Sequence, residues 1–261
     1  MGSIIDRLYF KNYRNLEETT MEFCPGINII YGNNGMGKTN ILETIFMCST
    51  GRSHRTHKIS NLINFEKQSA GIVLYKKNGI YTDKINISLK ANEKKGISVN
   101  GISLRKTSEL FGNLKVVMFS PEDMGLINDG PNLRRRFMDM ELCQLSKIYC
   151  HNLEQYFKVL KQRNNLLKSG GNIKETIFVW DSQLTEYGCK IIAARKDFIE
   201  KIAPVCINYY LKLTGGRENL EISYKPESEE KDFGARLKKS IDRDMYYKNT
   251  HNGPHRDDII F

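Results

Sequence analysis

The apolar positions of this chain change rhythm once. Up to about residue 119 they form short runs or alternate with polar residues, the period of strands; from 132 to about 212 they recur every three or four residues, the period of helices. Ile4 to Phe10 reads as an opening strand, and Gly26 to Tyr31 and Val116 to Phe119 as short strands of the buried type. Ile72 to Tyr75 and Tyr81 to Leu89 flank Asn78-Gly79, while Ile97 to Val99 and Ile102 to Leu104 flank Asn100-Gly101. Asn-Gly accepts positive φ at both central positions of a turn, so each pair predicts a tight hairpin.

In the second region Leu153, Tyr156, Phe157 and Leu160 keep helical spacing, as do Leu184, Tyr187, Ile191 and Ile192. Gly170-Gly171 divides two long helical stretches, which predicts an antiparallel helix pair, and Gly215-Gly216 closes the second. Residues 225 to 240 are charge-rich and read as a loop with a short helix. One run conflicts with its surroundings: Ile177-Phe178-Val179-Trp180-Asp181 has the apolar-then-acid form of a metal-binding strand. The next residue is Ser182 rather than a glutamate, and the spacing downstream is helical, so the run is assigned to a helix.

Charge narrows the partners. Lys and Arg number 40 against 30 Asp and Glu, a formal net charge of +10. Such an excess attracts polyanions, nucleic acid before acidic membrane, unless it is only a solvated basic surface. The six cysteines show no CxxC spacing, which predicts reduced thiols, a cytoplasmic location and no zinc site. The sequence holds no apolar run long enough to span a membrane and no secretory signal. Met-Gly-Ser falls short of a myristoylation signal, because Asp6 stands where Ser or Thr is needed.

The sharpest chemical signal is Gly32-Asn33-Asn34-Gly35-Met36-Gly37-Lys38-Thr39, which fits G-x-x-x-x-G-K-[ST]. An apolar run enters it and a helix-compatible run, Asn40 to Met47, leaves it. Glycines let the backbone curl with its N–H groups turned inward around a phosphate, and the helix adds its positive dipole end. Lys38 then neutralises β- and γ-phosphate charge, and the Thr39 hydroxyl ligates Mg²⁺. ATP with Mg²⁺ is the expected ligand, and Lys38 the residue of this loop expected to act in catalysis.

Other segments carry a resemblance. Leu8-Tyr9-Phe10-Lys11-Asn12-Tyr13-Arg14-Asn15 and Tyr31 to Asn40 resemble the first strand and phosphate loop of the RecF family, in the SMC-like branch of ABC ATPases. Gly51-Arg52-Ser53-His54-Arg55-Thr56 is similar to the family's basic segment after the first helix. The most specific run is Phe119-Ser120-Pro121-Glu122-Asp123, continued through Leu126-Ile127, Gly130-Pro131 and Arg134-Arg135-Arg136-Phe137-Met138-Asp139. Asp129 departs from the family's usual glycine. Trp180-Asp181-x-Gln183-Leu184 and Gly253-Pro254-His255-Arg256-Asp257-Asp258 extend the likeness over the whole chain.

The resemblance implies an α/β ABC-ATPase head. Residues 1–120 would form a lobe with the phosphate loop and mixed and antiparallel sheet. Residues 121–261 would form a largely helical second lobe with a short helical hairpin. Candidate nucleotide contacts are Lys11, Asn12, Arg14 and Arg55, although the first three also suit an ordinary strand end. Arg52, Arg134, Arg135 and Arg136 are candidate DNA contacts; otherwise Arg52, like Arg55, is surface charge and the other three pair with helix acids. Glu122 falls where related ATPases sense Mg²⁺ and the attacking water, or else opens a helix, where acids are favoured. His255 to Asp258 are given no catalytic role.

The implied function is ATP-dependent binding of duplex DNA, near single-strand/double-strand junctions, in recombinational repair. RecR and RecO are the implied partners, RecA the protein loaded, and ATP the driver of homodimerisation. The chain stops at Ile259-Ile260-Phe261, before the family's signature motif and metal-binding strand, so weak nucleotide binding and no hydrolysis are expected of it. A small-molecule phosphotransferase is the alternative. It has no need of the arginine run or the helical insertion. A chromosome-organising relative with long coiled arms is disfavoured, because about 80 helical residues make only a short hairpin.

Overall fold

A computed structural model describes residues 4–169 and 173–261. Gly2, Ser3, Gly170 and Gly171 lie outside the described residues. The chain divides into two compact units, Met1–Met118 and Phe119–Phe261.

The first unit is built on an antiparallel sheet of β1 (Ile4–Lys11), β2 (Thr19–Glu22), β3 (Ser69–Asn78), β4 (Tyr81–Lys90), β5 (Gly96–Val99) and β6 (Ile102–Ser103), in the order β2-β1-β3-β4-β5-β6. Strict alternation makes one face apolar. Leu8 and Phe10 pair across the sheet with Leu74 and Ile72, which pair in turn with Ile85 and Ile87. All are buried, and helix α1 (Lys38–Thr50) packs Met47 and Cys48 into the same core.

Both hairpins form, with different turns. Val99 pairs with Ile102, leaving Asn100 and Gly101 at φ 51° and 82°, positive at both as an Asn-Gly turn allows. In the other, Asn78 itself pairs with Tyr81, so the loop is Gly79-Ile80 and only Gly79 needs positive φ, at 62°.

Two expectations fail here. Neither Gly26 to Tyr31 nor Val116 to Phe119 is a strand. Ile27, Ile29 and Tyr31 are 91%, 79% and 90% exposed, and Val117 and Phe119 84% and 79%. An apolar run becomes a buried strand only when a neighbour supplies ladder hydrogen bonds and side-chain cover. Among the described residues no strand pairs with either run.

The second unit is helical: α2 (Gly125–Asn128), α3 (Pro131–Leu145), α4 (Lys147–Ser169), α5 (Ile173–Thr214), α6 (Phe233–Lys239) and α7 (Ile241–Tyr247), with a two-stranded sheet of β7 (Ser223–Lys225) and β8 (Asp258–Ile260). Helices α4 and α5 pack along each other, burying Tyr156, Val159, Leu160, Leu184, Ile191 and Ile192. Gly188 lets α6 close on α5, since a Cβ there would lie 2.3 Å from the Phe233 ring. No helix among the described residues is long and apolar enough to cross a membrane.

Two arginines are fully buried in this unit. Arg163 on α4 reaches Asp181 at 2.6 Å, Asp244 at 2.7 Å and Thr250 at 2.9 Å. Arg195 on α5 reaches Asp139 at 2.7 Å, Asp257 at 2.8 Å and the Pro254 carbonyl at 2.6 Å. Asp181, the acid of the ambiguous apolar run, is thus on a helix and neutralises Arg163.

Candidate nucleotide site

The phosphate loop is shaped by its glycines. Gly32, Gly35 and Gly37 take φ of 148°, 82° and 92°, a backbone that other residues rarely adopt. A Cβ at Gly32 or Gly35 would meet nothing within 4 Å, whereas at Gly37 it would lie 2.5 Å from Leu16 and 2.8 Å from Asn15. The loop is therefore open on one side and tightly backed on the other, a cradle that fits a phosphate tail. Helix α1 begins at Lys38 with no acid in its first turn to offset the positive dipole end. The Lys38 ammonium donates to the carbonyls of Gly32 and Asn33, both at 2.8 Å, which holds it over the loop. Thr39, the expected Mg²⁺ ligand, follows and is half-buried.

Behind the loop lies a brace that the sequence reading did not single out. Asn15 donates to the Gly35 carbonyl at 2.6 Å and accepts from Asn40 at 2.7 Å; Arg55 donates to Asn40 at 3.3 Å. Glu43, one turn into α1, is fully buried and takes two hydrogen bonds from Arg14, at 2.6 and 2.9 Å, and one from Ser53 at 2.6 Å. Burial alone would raise the Glu43 carboxyl; the donors Arg14 and Ser53 outweigh it and hold the group below the usual carboxylate range. A glutamate in an otherwise apolar helix, following an arginine at the end of the first strand, was the available signal.

The candidate nucleotide contacts therefore separate. Arg55 is joined to the loop through Asn40 and Asn15. Arg14 spends its guanidinium on Glu43, so the structure gives it a positioning part in place of direct contact. Lys11 pairs with Glu18 on the surface at 2.7 Å, and Asn12 donates to the Ser69 carbonyl at 3.4 Å; neither of these contacts is with the loop.

Comparison with known proteins gives the geometry a family. An AAA-domain model matches residues 7–249. DNA replication and repair protein RecF of Lachnoclostridium phytofermentans is 45% identical over 261 residues, 99% of this chain and 72% of that protein. The chain belongs to the RecF family. The RecF protein of Lachnospira eligens is 46% identical, over 99% of this chain and 72% of the relative. Among solved structures, the recombination mediator RecF–ATP of the RecFOR pathway matches with a TM-score of 0.92 and 36% identity, covering 98% of this chain and 73% of that one. The fold is accordingly an ABC-ATPase head of the RecF kind, an ATP-binding architecture.

Apart from Arg52, exposed in the first unit, the remaining candidates lie in the second unit. Pro121-Glu122-Asp123 opens a short 3-10 helix, where Ser120 and Asp123 exchange capping hydrogen bonds. Glu122 is exposed. Arg134 holds both carboxylate oxygens of Asp258, at 2.7 and 3.1 Å, and the carbonyls of Leu126 and Asp129. Arg135 donates to the Asp257 carbonyl at 2.5 Å and to Asn132. Both arginines serve the structure rather than an outward DNA face; Arg136 is half-buried. His255 donates from Nε2 to the Thr250 carbonyl at 3.2 Å, so its Nδ1 accepts from Tyr156 at 2.7 Å. Burial lowers this imidazole to about 4.

Proposed function

We propose that this chain is the ATP-binding part of a DNA replication and repair protein that grips DNA through its sugar–phosphate backbone. The single observation that carries the reading is the glycine cradle with Lys38 held over it, in a chain 45% identical to a DNA replication and repair protein RecF. The loop amides and Lys38 bind the phosphate tail. Thr39 would hold Mg²⁺, which supplies charge neutralisation at the β- and γ-phosphates. Asn15, Arg14 and Glu43 fix the orientation of α1 so that these donors converge.

The excess of basic residues supports a polyanion partner bound by charge rather than base readout. Location in the cytoplasm, ATP-driven pairing of two copies, preference for single-strand/double-strand junctions, and cooperation with RecR and RecO in loading RecA extend the same reading. The family relatives favour it over a small-molecule phosphotransferase.

Titration with a fluorescent ATP analogue tests it. Lys38→Ala is expected to weaken binding at least about tenfold, the effect of losing one charge-assisted phosphate contact, with thermal stability unchanged. Thr39→Ala is expected to remove the Mg²⁺ dependence. Equal affinity of wild type and Lys38→Ala would sink the assignment.

A further inference from the structure

Exposed aromatic rings gather at the end of α7. Tyr246 is 79% exposed and Tyr247 60%. Their ring centroids lie 4.9 Å apart with the planes at 86°, and His251 continues the row at 5.2 Å from Tyr247 and 63°. Such edge-to-face contacts spend a ring edge on each neighbour and leave ring faces open. Open apolar faces are unfavourable in water until something flat covers them.

The row is fixed from below. His251 Nδ1 lies 3.0 Å from Asp244 Oδ1, and the His251 backbone N–H donates to the same oxygen at 3.1 Å. Asp244 is fully buried and is gripped in turn by Arg163 at 2.7 Å. Tyr247 therefore leans on a ring tied to the buried centre of the unit, and a platform ordered in advance loses little entropy on binding.

Cations flank the rings. Arg243 stands three and four residues before the tyrosines, on their side of α7. Lys248 follows them at φ 53°, closing the helix where glycine is usual. Both are exposed, and neither side chain enters an ion pair among the described residues. Of the acids on α7, Asp244 is buried and Asp242 pairs with Lys174 at 2.8 Å.

We propose that Tyr246 and Tyr247 stack the bases of a single DNA strand, with its phosphates on Arg243 and Lys248. Ring faces and cations together select the occupant. A duplex hides its base faces in its own stack, and an acidic protein segment offers charge without flat faces. A single strand offers both, and stacking tolerates any sequence because every base has a π-face. The inference rests on the DNA-binding reading above and adds a strand type and residues to it.

The test is fluorescence anisotropy of a strand of about 20 thymidines with this chain, beside an abasic strand of the same length and a duplex, from about 50 to 200 mM NaCl. Tyr246→Ala/Tyr247→Ala is expected to weaken thymidine-strand binding about tenfold, the loss of a stacked base, and to leave the salt slope unchanged. Tyr246→Phe/Tyr247→Phe keeps the ring faces and is expected to bind as the wild type does, which separates stacking from misfolding. The wild type is expected to bind the abasic strand about tenfold more weakly than the thymidine strand. Arg243→Gln/Lys248→Gln is expected to flatten the slope of log K against log[NaCl] by about 1.4, about 0.7 for each lost phosphate contact. Equal binding of the thymidine and abasic strands by the wild type, or wild-type affinity in the alanine variant, would overturn the proposal while duplex binding stands. No binding of any DNA by the wild type would remove the DNA-binding reading with it. An alanine variant that binds the strand normally but sediments as a smaller species would mark a protein-docking face and also overturn the proposal.

Discussion

The two units handle charge in opposite ways. The sheet unit is held by an apolar face, with Leu8, Ile72, Leu74, Ile85 and Ile87 all at 0% exposure, and it leaves most of its lysines at the surface. The helical unit carries fully buried Arg163 and Arg195 at its centre, each ringed by carboxylates. Many lysines of the first unit thus reach solvent, although Arg14 is spent on buried Glu43, whereas several basic residues in the second are structural parts. The same count of positive charge therefore means different things in the two halves, and only the partners of each guanidinium tell which.

That contrast is open to attack, most severely at Arg195. Arg195→Met strands Asp139 and Asp257 inside the helical unit, and is expected to cost about 4 kcal/mol in urea denaturation. Adding Asp139→Asn and Asp257→Asn is expected to restore much of that loss. A cost below about 1 kcal/mol for the single change would mean the buried charges do not hold this unit.

In the sheet unit the matching experiment is Leu74→Ala. Its expected cost is about 3 kcal/mol, from lost transfer energy plus the cavity left behind. No carboxylate partner exists to rescue it, and a rescue by any charge change would erase the distinction between the units.

The smallest effect is a pH dependence. His255 is neutral in the folded protein because burial lowers its pKa to about 4, against about 6.5 when unfolded. Its contribution is therefore fully present above pH 6.5 and is lost as the pH falls from there toward 4, about 2 kcal/mol by pH 4.5. His255→Gln should flatten the profile of unfolding midpoint against pH in that window. An unchanged profile would place the acid sensitivity elsewhere.

Much of this was legible beforehand, for local reasons. Strand alternation, the two hairpins, the Asn100-Gly101 turn and the phosphate-loop glycines each depend on neighbouring residues, so the pattern and the structure agree there; at Asn78-Gly79 the register moves the loop to Gly79-Ile80. What stayed hidden depends on distant partners. Gly26 to Tyr31 looks like a strand in isolation and lacks a ladder neighbour among the described residues. Arg134 looks like a surface cation until Asp258, far along the chain, is folded beside it at 2.7 Å. Glu43 and Asn15 were missed because the cue in the sequence, one acid on the helix after the loop, does not say which arginine, serine and histidine surround it.

The burial of Glu43 sets how much the phosphate-loop helix can twist about its own axis. Its carboxylate sits roughly 6 Å from that axis, so turning the helix by about 10° would swing it about 1 Å. That displacement pulls apart the two-pronged grip of Arg14, made at 2.6 and 2.9 Å. The side chain behaves like a key seated in a keyway: α1 keeps its angular setting, and the ammonium and hydroxyl one turn earlier keep their aim.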